Sequence, residues 1–353
     1  MKTQIVATKG AHQWQGIPGI ERSESGRLWC TFFSGGPKEP DPANLILLCS
    51  SADDGATWSE PVPIVDPPGA TRAYDPALWR DPTGRMWLFY NLANLERRQW
   101  ELWATHTVDA DSPRPSWSDP QPIPVDVPFC FRLNKPTVLA SGAWLLPVTY
   151  ALQAPDDWFA FDRQLQGVAI SRDRGTTWTL RGAVQAPRWA LENMIVQHRD
   201  GSLTMLIRTN DGVLWRATSS DDGSTWSQGQ PTGIVNPGSR FFIRRLACGR
   251  LLLVNTPRPD QRRSLYAYLS DPDDDGRFAH RLLLDDRDGI SYPDAIEGPA
   301  GVVHCVHDRD RQGVGEIILH TFTVHEMLAQ PCTPDTAVQA LVAPPSDADV
   351  RSS

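Results

Sequence analysis

An eight-residue pattern, S-x-D-x-G-x-T-W, occurs three times in this chain and constrains its fold more than any other feature. The copies are SADDGATW (Ser51 to Trp58), SRDRGTTW (Ser171 to Trp178) and SSDDGSTW (Ser219 to Trp226), and weaker copies run from Thr107 to Trp117 and from Ser270 to Phe278. These are the residue types of a hairpin turn, because Ser and Asp side chains accept hydrogen bonds from nearby amides and Gly tolerates a positive φ. The Trp can fill the space beneath the turn. The pattern therefore predicts several similar β-hairpins distributed along the chain.

A second and independent repeat is a glycine followed by an apolar strand. It occurs at six glycines, separated by 58, 58, 59, 48 and 52 residues: Gly26, Gly84, Gly142, Gly201, Gly249 and Gly301. Each glycine also follows an apolar, β-rich segment, so each pair of segments predicts a hairpin. With the Asp-containing turn, one unit holds about four strands, the size of a propeller blade. We predict an all-β fold: a single six-bladed β-propeller domain over residues 1–329, and a loose C-terminal extension over 330–353 that is rich in Pro, Ala, Asp and Ser.

The charge balance excludes some classes of partner. The chain has 34 basic and 42 acidic residues, a net charge of −8, whereas nucleic acids and anionic membranes select basic surfaces. No apolar run approaches the roughly 20 residues that span a bilayer. The first residues lack the apolar stretch of a secretory signal. We therefore expect a cytoplasmic protein that binds neither nucleic acid nor membrane.

The six cysteines do not indicate a metal site or a disulfide framework. None lies in a C-x-x-C spacing, and no His/Cys cluster has the spacing of zinc ligands. Most lie within apolar runs, where a free thiol packs as a small hydrophobic group. We predict no metal and no cofactor.

The repeat glycines also locate a candidate site, because the innermost strands of a propeller line its central channel. Counting nine residues back from each glycine gives the predicted start of each innermost strand: Ile17, Asp75, Leu133, Glu192, Arg240 and Tyr292. The adjoining positions add three more polar residues, Asn134, Lys135 and Asn193. Equivalent positions in six blades converge on one axis, so we expect the polar members of this set to line one pocket. The alternative is that each of them merely begins an exposed strand.

Asp-containing turns on a six-bladed propeller resemble those of sialidases and other BNR-repeat proteins. The resemblance covers nearly the whole chain and includes LENMIVQHRDGSLTMLIRT, SRFFIRRLACGRLLLVN and ISYPDAIEGPAGVVHCVHDRDR. It implies a six-bladed propeller with a glycoside hydrolase site. The turns are structural in that family and lie on the rim, so they bear on the fold more than on the reaction.

The resemblance also implies roles for individual residues. Glu192 and Arg208 match a glutamate that precedes a strand ending in one arginine of a carboxylate-binding triad. Arg263, with Arg262 adjacent, matches a second arginine of that triad. Tyr292 matches the nucleophile. A neighbouring glutamate can take the phenol proton, whose ordinary pKa is about 10.

The acid/base residue and the first triad arginine are less well matched. Asp41, in the loop SGGPKEPDPANL, matches the acid/base aspartate of the family, with Glu39 close by and Asp75 as a rival. Gly16 stands in G-I-P where the family has the arginine of R-I-P. Losing a bidentate donor weakens the binding of a carboxylate. Four other arginines are candidates to compensate: Arg22, Arg72, Arg132 and Arg240. We therefore predict a substrate other than ordinary sialic acid.

Three functions are consistent with these residues. The first is a sialidase-like, exo-acting glycoside hydrolase that works by double displacement with retention, acting on an acidic or otherwise non-standard terminal sugar. The second is a polysaccharide or oligosaccharide lyase, in which Tyr292 or a histidine removes the proton next to a uronate carboxylate. The third is a glycan-binding propeller without turnover. Each implies a carbohydrate partner, and the sequence leaves both a monomer and a homo-oligomer open.

Overall fold

The computed structural model describes residues 1–132, 134–153, 163–186, 189–333 and 338–339. Strands dominate, and they form six antiparallel sheets that follow one another along the chain as the blades of a β-propeller. The prediction of an all-β, six-bladed propeller is confirmed.

The first three blades follow a short strand, Lys2–Ala7 (β1). Blade 1 consists of Gln15–Arg22 (β2), Leu28–Ser34 (β3), Leu45–Ser51 (β4) and Val62–Val65 (β5). Blade 2 consists of Thr71–Arg80 (β6), Met86–Asn94 (β7), Gln99–Thr107 (β8) and Gln121–Pro122 (β9). Blade 3 consists of Phe129–Arg132 (β10), Thr137–Val138 (β11), Trp144–Ala151 (β12), Leu165–Ser171 (β13) and Thr179–Val184 (β14).

The last three blades are followed in the chain by a short helix and a two-residue strand. Blade 4 consists of Ala190–Gln197 (β15), Leu203–Thr209 (β16), Val213–Ser219 (β17) and Gln230–Val235 (β18). Blade 5 begins with Phe242–Arg245 (β19), Leu251–Asn255 (β20), Arg263–Ser270 (β21) and Arg277–Asp288 (β22). Blade 6 contains Ile290–Glu297 (β23), Val302–Arg309 (β24) and Glu316–Thr323 (β25). The helix Val324–Leu328 (α1) and the strand Val338–Gln339 (β26) follow.

The N-terminal strand closes the ring. β1 pairs antiparallel with β25, from Lys2 opposite Thr321 to Ala7 opposite Ile317, and so becomes the outermost strand of blade 6. The chain's beginning and its last blade are therefore held together by main-chain hydrogen bonds. β1 thus occupies the outer edge of β25.

The residues after blade 6 pack back on blade 5. Gln330 accepts a hydrogen bond from the Arg281 amide, and β26 pairs with the start of β22. Residues 334–337 and 340–353 lie outside the described part of the chain. The domain boundary at residue 329 stays a prediction.

The Asp-containing turns have the hydrogen bonds that the sequence pattern predicts. In the first copy, the Asp53 carboxylate accepts from the Thr57 amide at 2.9 Å and from the Thr57 hydroxyl at 2.6 Å. Gly55, at φ 85°, donates its amide to the Ser51 hydroxyl at 2.8 Å. The Trp58 indole donates to the Gly55 carbonyl at 3.2 Å. Each of the three full copies follows the third strand of its blade, β4, β13 or β17, when β10 and β11 of blade 3, which both pair with β12, count as one inner strand.

The core lies between the sheets, because the inner strands are buried on both faces. All seven residues of β3 and all eight of β12 are buried. Aromatic side chains fill the space between neighbouring blades, as where Trp79 of blade 2 meets Trp144 of blade 3 edge to face, with ring centroids 4.7 Å apart. Burying side chains of this size stabilises the fold by about 1.5–3 kcal/mol each. Among the described helices, none has the length and apolar character of a membrane span.

Candidate active site at one mouth of the propeller

The innermost strands of four blades share a β-bulge at the same register, and one residue of each bulge has a left-handed backbone. The pairing shifts between Gly16 and Gly19, Tyr74 and Ala77, Leu191 and Met194, and Ser291 and Asp294. The left-handed residues, with φ of 59°, 47°, 56° and 57°, are Ile17, Asp75, Glu192 and Tyr292. A bulge turns a side chain away from the normal strand alternation, and such strained residues cluster at functional sites. All four lie nine residues before a repeat glycine.

The topology separates this mouth from the Asp-containing turns. The bulges lie at the beginning of the first strand of a blade, and each turn lies at the end of the third strand. In an antiparallel sheet these two points are at opposite ends. The turns therefore stabilise the far face of the propeller and leave this mouth free.

Glu192, Arg208 and Tyr292 form a buried hydrogen-bonded group at the mouth. The Nη1 atom of Arg208 donates to the Glu192 carboxylate at 2.5 Å and to the Tyr292 hydroxyl at 2.7 Å. The Nε atom of Arg208 donates to the Gly238 carbonyl at 2.9 Å, which fixes the guanidinium plane. Glu192 is 2% exposed and Tyr292 is 7% exposed. The bulges of blades 4 and 6 thus bring a carboxylate, a guanidinium and a phenol together.

The environment shifts the pKa values of the two acidic groups in opposite directions. Burial raises the pKa of Glu192, but Arg208, Arg240 and a hydrogen bond from Tyr292 outweigh it, and the net pKa lies below its ordinary value. Burial raises the pKa of Tyr292, and the nearby arginines only partly offset this effect. At neutral pH the site therefore holds an ionised Glu192 next to a protonated phenol.

Arg240 lies between the carboxylates of blades 2 and 4. Its Nε atom is 3.6 Å from the Glu192 carboxylate, and its Nη2 atom is 3.7 Å from the Asp75 carboxylate. The guanidinium carbon also lies over the Tyr292 ring, 4.6 Å from its centroid, a cation–π distance. The structure thus brings together Asp75, Glu192, Arg240 and Tyr292, which share the predicted register. Leu133 lies outside the described residues.

Arg311, which the sequence analysis did not single out, also reaches this site. Its Nε atom donates to the Asp308 carboxylate at 2.9 Å, and its Nη2 atom donates to the Ser291 hydroxyl at 3.1 Å. Its guanidinium carbon is 4.2 Å from the centroid of the Tyr292 ring. Asp308 is fully buried and also accepts a hydrogen bond from the Ile17 amide at 2.7 Å. The polar run HDRDR, which begins in the last residues of β24 and ends at Arg311, was the available signal in the sequence.

Of the two adjacent arginines at the start of β21, the structure places Arg262 at the site and Arg263 outside it. Arg262 lines the cavity, and its guanidinium carbon is 5.8 Å from the Tyr292 ring centroid. Arg263 is 43% exposed and lies 3.7 Å from Asp286 and 3.6 Å from Asp288. Neighbouring residues point in opposite directions as the strand begins, so a shift of one residue exchanges the two. The expectation that Arg263 faces the pocket is therefore wrong, and the arginine of this pair that lines the cavity is Arg262.

The acid/base candidates in the first loop are also placed differently from the resemblance. Asp41 stabilises its own loop, where its carboxylate accepts from the Ala43 amide at 2.9 Å, and it is not among the cavity-lining residues. Glu39 does line the cavity, 3.2 Å from the Arg72 guanidinium. Asp75 lines it as well. The carboxyl groups that face the cavity from blades 1 and 2 are thus those of Glu39 and Asp75.

Lys135, Asn134 and Asn193 hold the strands instead of facing the cavity. Lys135 lies in the channel, 2.9 Å from the Asp294 carboxylate and 3.8 Å from that of Glu21, and hydrogen-bonds the Ile20 carbonyl. It borders a different cavity, at the opposite mouth. The prediction that Lys135 faces the pocket is wrong, because Glu21 and Asp294 hold its ammonium group further along the inner strands of blades 1 and 6 than the left-handed residues Ile17 and Tyr292.

The two asparagines fix the strained backbone. The Asn134 amide group donates to the carbonyls of Glu192 and Asn193 at 3.1 and 3.0 Å. That of Asn193 donates to the Val148 carbonyl at 2.9 Å. These bonds join blades 3 and 4 directly beneath the catalytic candidates, so both residues position Glu192.

The arginines proposed to compensate for Gly16 lie in different places. Arg72 lines the cavity from blade 2. Arg240 lies at the register described above. Arg22 ends β2 and lies near the Asp53 turn at the other face, in a separate cavity. The side chain of Arg132 lies outside the described part of the structure.

The cavity at this mouth has a volume of about 280 Å³. Arginine and carboxylate side chains form part of its wall, and aromatic and aliphatic side chains form the rest. The lining comprises Glu39, Pro40, Arg72, Tyr74, Asp75, Leu95, Trp100, Phe131, Leu191, Glu192, Arg208, Arg262, Tyr292 and Arg311.

A second polar cluster, Asp285, His307 and His320, lies between blades 5 and 6 and has residue types that can bind a metal. The Nε2 atoms of the two histidines are 3.0 Å apart, and their ring planes differ by only 7°. Ring nitrogens that face each other in this way hydrogen-bond directly. Burial lowers the pKa of both histidines, and that of His320 falls to about 3, so His320 is neutral at physiological pH. His307 also hydrogen-bonds the Asp308 carbonyl, and in this way the pair supports the end of β24, which leads into the turn with Arg311.

Comparison with known proteins agrees with this architecture. A family described as the BNR repeat-like domain matches residues 26–305. The chain belongs to this family. No curated protein matches the sequence. Of the resemblance noted in the sequence, the membership of the BNR-repeat family is confirmed.

Solved structures show the same fold at low sequence identity. The Hadza microbial sialidase Hz136 matches at 19% identity and a TM-score of 0.77, over 92% of this chain and 69% of that one. The intramolecular trans-sialidase from Ruminococcus gnavus, in complex with oseltamivir carboxylate, matches at 16% identity and a TM-score of 0.71, over 93% of this chain and 98% of that one. A protein of unknown function from Dyadobacter fermentans matches at 16% identity and a TM-score of 0.74, over 91% of this chain and 97% of that one. At these identities the similarity concerns the fold.

Proposed function

We propose that this protein is an exo-acting glycoside hydrolase that removes a terminal sugar bearing a carboxylate, with retention of anomeric configuration. The observation that supports this proposal most is the Tyr292 hydroxyl, which is 2.7 Å from Arg208 beside the ionised Glu192. A phenol with a basic partner is a suitable nucleophile for an anionic substrate, because a carboxylate nucleophile would repel the substrate.

In the first step, the Tyr292 oxygen attacks the anomeric carbon while Glu192 takes the phenol proton. The bond to the leaving group breaks, and an acid residue protonates the departing oxygen. In the second step, water attacks the anomeric carbon of the tyrosyl glycoside, and the same acid residue, now a base, accepts a proton from that water. The Tyr292 oxygen leaves and regains its proton from Glu192. Two inversions give overall retention.

The acid residue is Asp41 by resemblance, while Glu39 and Asp75 line the cavity. A role for Asp41 requires the first loop to reorganise when substrate binds, and catalytic hydrogen bonds often tighten only in the complex. A substrate whose leaving group needs no proton distinguishes the three carboxyl groups. When the true acid is removed, the first step stays fast on such a substrate, whereas the second step, which needs the same residue as a base, becomes slow. A nitrophenyl glycoside supplies such a leaving group.

The shape and charge of the cavity favour a single terminal residue. A volume of about 280 Å³ is at the small end of ligand pockets, enough for one sugar ring and too little for several. Arg208 and Arg262 approach the Tyr292 ring from blades 4 and 5, with guanidinium carbons 5.5 and 5.8 Å from its centroid. Guanidinium groups bind carboxylates through paired hydrogen bonds, which supports a sugar acid as the substrate.

The test is turnover of a panel of chromogenic glycosides that includes a sialoside, uronides and matched neutral sugars. We expect release of the saturated sugar acid by the wild-type protein and its loss in Tyr292→Phe. Tyr266→Phe is the matched control, because Tyr266 packs against Tyr268 away from the cavity. Ultraviolet absorbance from a conjugated double bond would instead identify a lyase. Binding without any turnover would leave a glycan-binding protein, and either result would overturn the proposal.

A further inference from the structure

We propose that Arg311 is the third guanidinium of the carboxylate site, and that residue 16 is glycine because Arg311 occupies the space that a side chain there would need. This inference rests on the proposed function and specifies how the site binds its substrate. It assigns to blade 6 a cation that the family resemblance places in blade 1.

The steric relation between Gly16 and Arg311 is direct. A Cβ atom on residue 16 would lie 2.8 Å from Nε and 2.9 Å from Cγ of Arg311, and 2.9 Å from the Asp308 carboxylate. Contacts this short force one of the groups to move. The backbone of Gly16 lacks a positive φ, so conformation alone would permit other residues there. A side chain at position 16 and Arg311 in its present position therefore exclude each other.

Arg311 is held as firmly as a binding residue needs to be. Asp308 and Ser291 bind its Nε and Nη2 atoms, and the Trp14 ring lies 5.7 Å from its guanidinium carbon. Asp308 is itself fixed by the Ile17 amide of the blade 1 bulge. The same carboxylate thus joins the strained bulge after Gly16 to the arginine that lies beside it. A fixed guanidinium loses little freedom when it binds an anion.

Three arginines from three blades each retain an unused donor at this cavity. Within the described part of the chain, Nη2 of Arg208, Nη1 of Arg262 and Nη1 of Arg311 have no hydrogen-bond partner. Their guanidinium carbons lie 5.5, 5.8 and 4.2 Å from the centroid of the Tyr292 ring. A carboxylate offers about four lone-pair sites, so it can accept from several guanidinium donors. The ligand class is a sugar acid whose carboxylate lies beside the nucleophile.

The position of Arg311 also limits which sugar acid fits. Its Nε and Cγ atoms lie where the first atoms of an arginine at position 16 would begin. The third cation therefore approaches from the blade 6 side, next to Tyr292, and not from the end of a blade 1 side chain. We expect the site to rank sugar acids differently from one whose third arginine is at position 16.

The first experiment compares Arg311→Met with Arg309→Met. Arg309 is in the same blade, has the same charge, and pairs with Glu316 at 2.8 Å outside the cavity. The readouts are calorimetric affinity for free N-acetylneuraminic and glucuronic acids, affinity for glucose as the neutral match, and KM and kcat for the best acidic glycoside. We expect Arg311→Met to weaken acid binding at least about thirtyfold, with glucose unaffected and Arg309→Met within about threefold of the wild type.

The second experiment tests the steric half of the inference. Gly16→Ala should displace Arg311 and weaken acid binding, whereas adding Gly16→Ala to Arg311→Met should cause little further loss. Non-additivity of this kind is the signature of residues that act through one contact. A crystal structure of Gly16→Ala should show the Arg311 guanidinium moved from Asp308.

The outcomes separate the two proposals. If the wild-type protein neither binds nor cleaves any sugar acid, the proposed function fails. If it does, but Arg311→Met behaves like Arg309→Met, only the role of Arg311 is overturned. Additive effects of the two substitutions, or an unmoved Arg311 in Gly16→Ala, would overturn the steric explanation for Gly16.

Discussion

Replacing Glu192 by glutamine tests the central acid–base relation of the site. The substitution keeps the shape of the side chain and removes its charge. In the native site, two guanidinium groups approach this carboxylate, at 2.5 Å from Arg208 and 3.6 Å from Arg240. The group is 2% exposed, so solvent screens these contacts little.

The expected loss of stability follows from that geometry. Removing one partner of a buried ion pair typically costs about 3–5 kcal/mol. We expect the lower end, because the glutamine oxygen can still accept from Arg208 and Asp75 remains 3.7 Å from Arg240. At about 2.1 cal/mol/K per residue, a chain of 353 residues loses roughly 4 °C in Tm for about 3 kcal/mol. Tyr292→Phe should lower Tm by only about 1–2 °C, because it removes one hydroxyl.

The effect on turnover should be larger and should depend on pH. Loss of a general base typically lowers the rate about 10²–10⁴-fold. The pKa of Glu192 is lowered, so wild-type kcat/KM should fall on the acid side only below about pH 4.3, the ordinary glutamate pKa. The variant should lack this acid limb. Its activity should instead rise with pH, because Glu192 raises the pKa of Tyr292 and its removal makes the phenolate easier to form.

The assay is kcat/KM against pH for the best acidic glycoside, with thermal unfolding of both variants measured in parallel. An unchanged acid limb in Glu192→Gln would refute the assignment of Glu192 as the base. Full activity with an unchanged Tm would refute the whole description of the buried group.

Three further predictions concern the other placements. Arg262→Ala should raise KM for an acidic glycoside about 10–100-fold. Arg263→Ala loses only exposed ion pairs and should change KM less than about threefold. Steady-state kinetics of both variants are the measurement, and a larger rise in KM for Arg263→Ala than for Arg262→Ala would contradict the placement. Hydrogen bonds lower the pKa of Asp221 to about 2. The contribution of Asp221 to stability is therefore complete above pH about 4 and is lost as the pH falls towards 2. Asp221→Asn should make stability depend less on pH in that window, which chemical denaturation at several pH values will check. Lys135→Met leaves the Asp294 carboxylate without its cation and should therefore destabilise the protein by about 3–5 kcal/mol, with little change in KM. A raised KM with normal stability would show instead that Lys135 binds the substrate.

The fold could be predicted from the sequence because its signals are local. The turn at Asp53 depends on residues within eight positions of one another, and three copies repeat the same hydrogen bonds. The glycine spacing then counts the blades. The pairing of β1 with β25 was harder to locate, because it joins residues more than 300 positions apart and no short motif marks it.

The positions of the residues in the candidate site were predictable where the site follows the repeat and not where it departs from the repeat. Glu192 and Tyr292 were found by counting from glycines, because the bulge recurs at the same register in several blades. Arg262 and Arg263 differ by one position, which counting cannot resolve. Arg311 lies in a turn outside the repeat, and its relation to Gly16 spans 295 positions of chain. Such a contact becomes visible only when the blades are assembled.

The most direct test of the account is to trap the glycosyl intermediate. The wild-type protein would be incubated with a sugar acid that has a good leaving group and a fluorine beside the anomeric carbon, then digested and analysed by mass spectrometry. We predict that the mass of the sugar is added to the peptide containing Tyr292 and that Tyr292→Phe gives no such adduct. An adduct on Glu39, Asp41 or Asp75, or turnover with inversion and no adduct, would contradict the account.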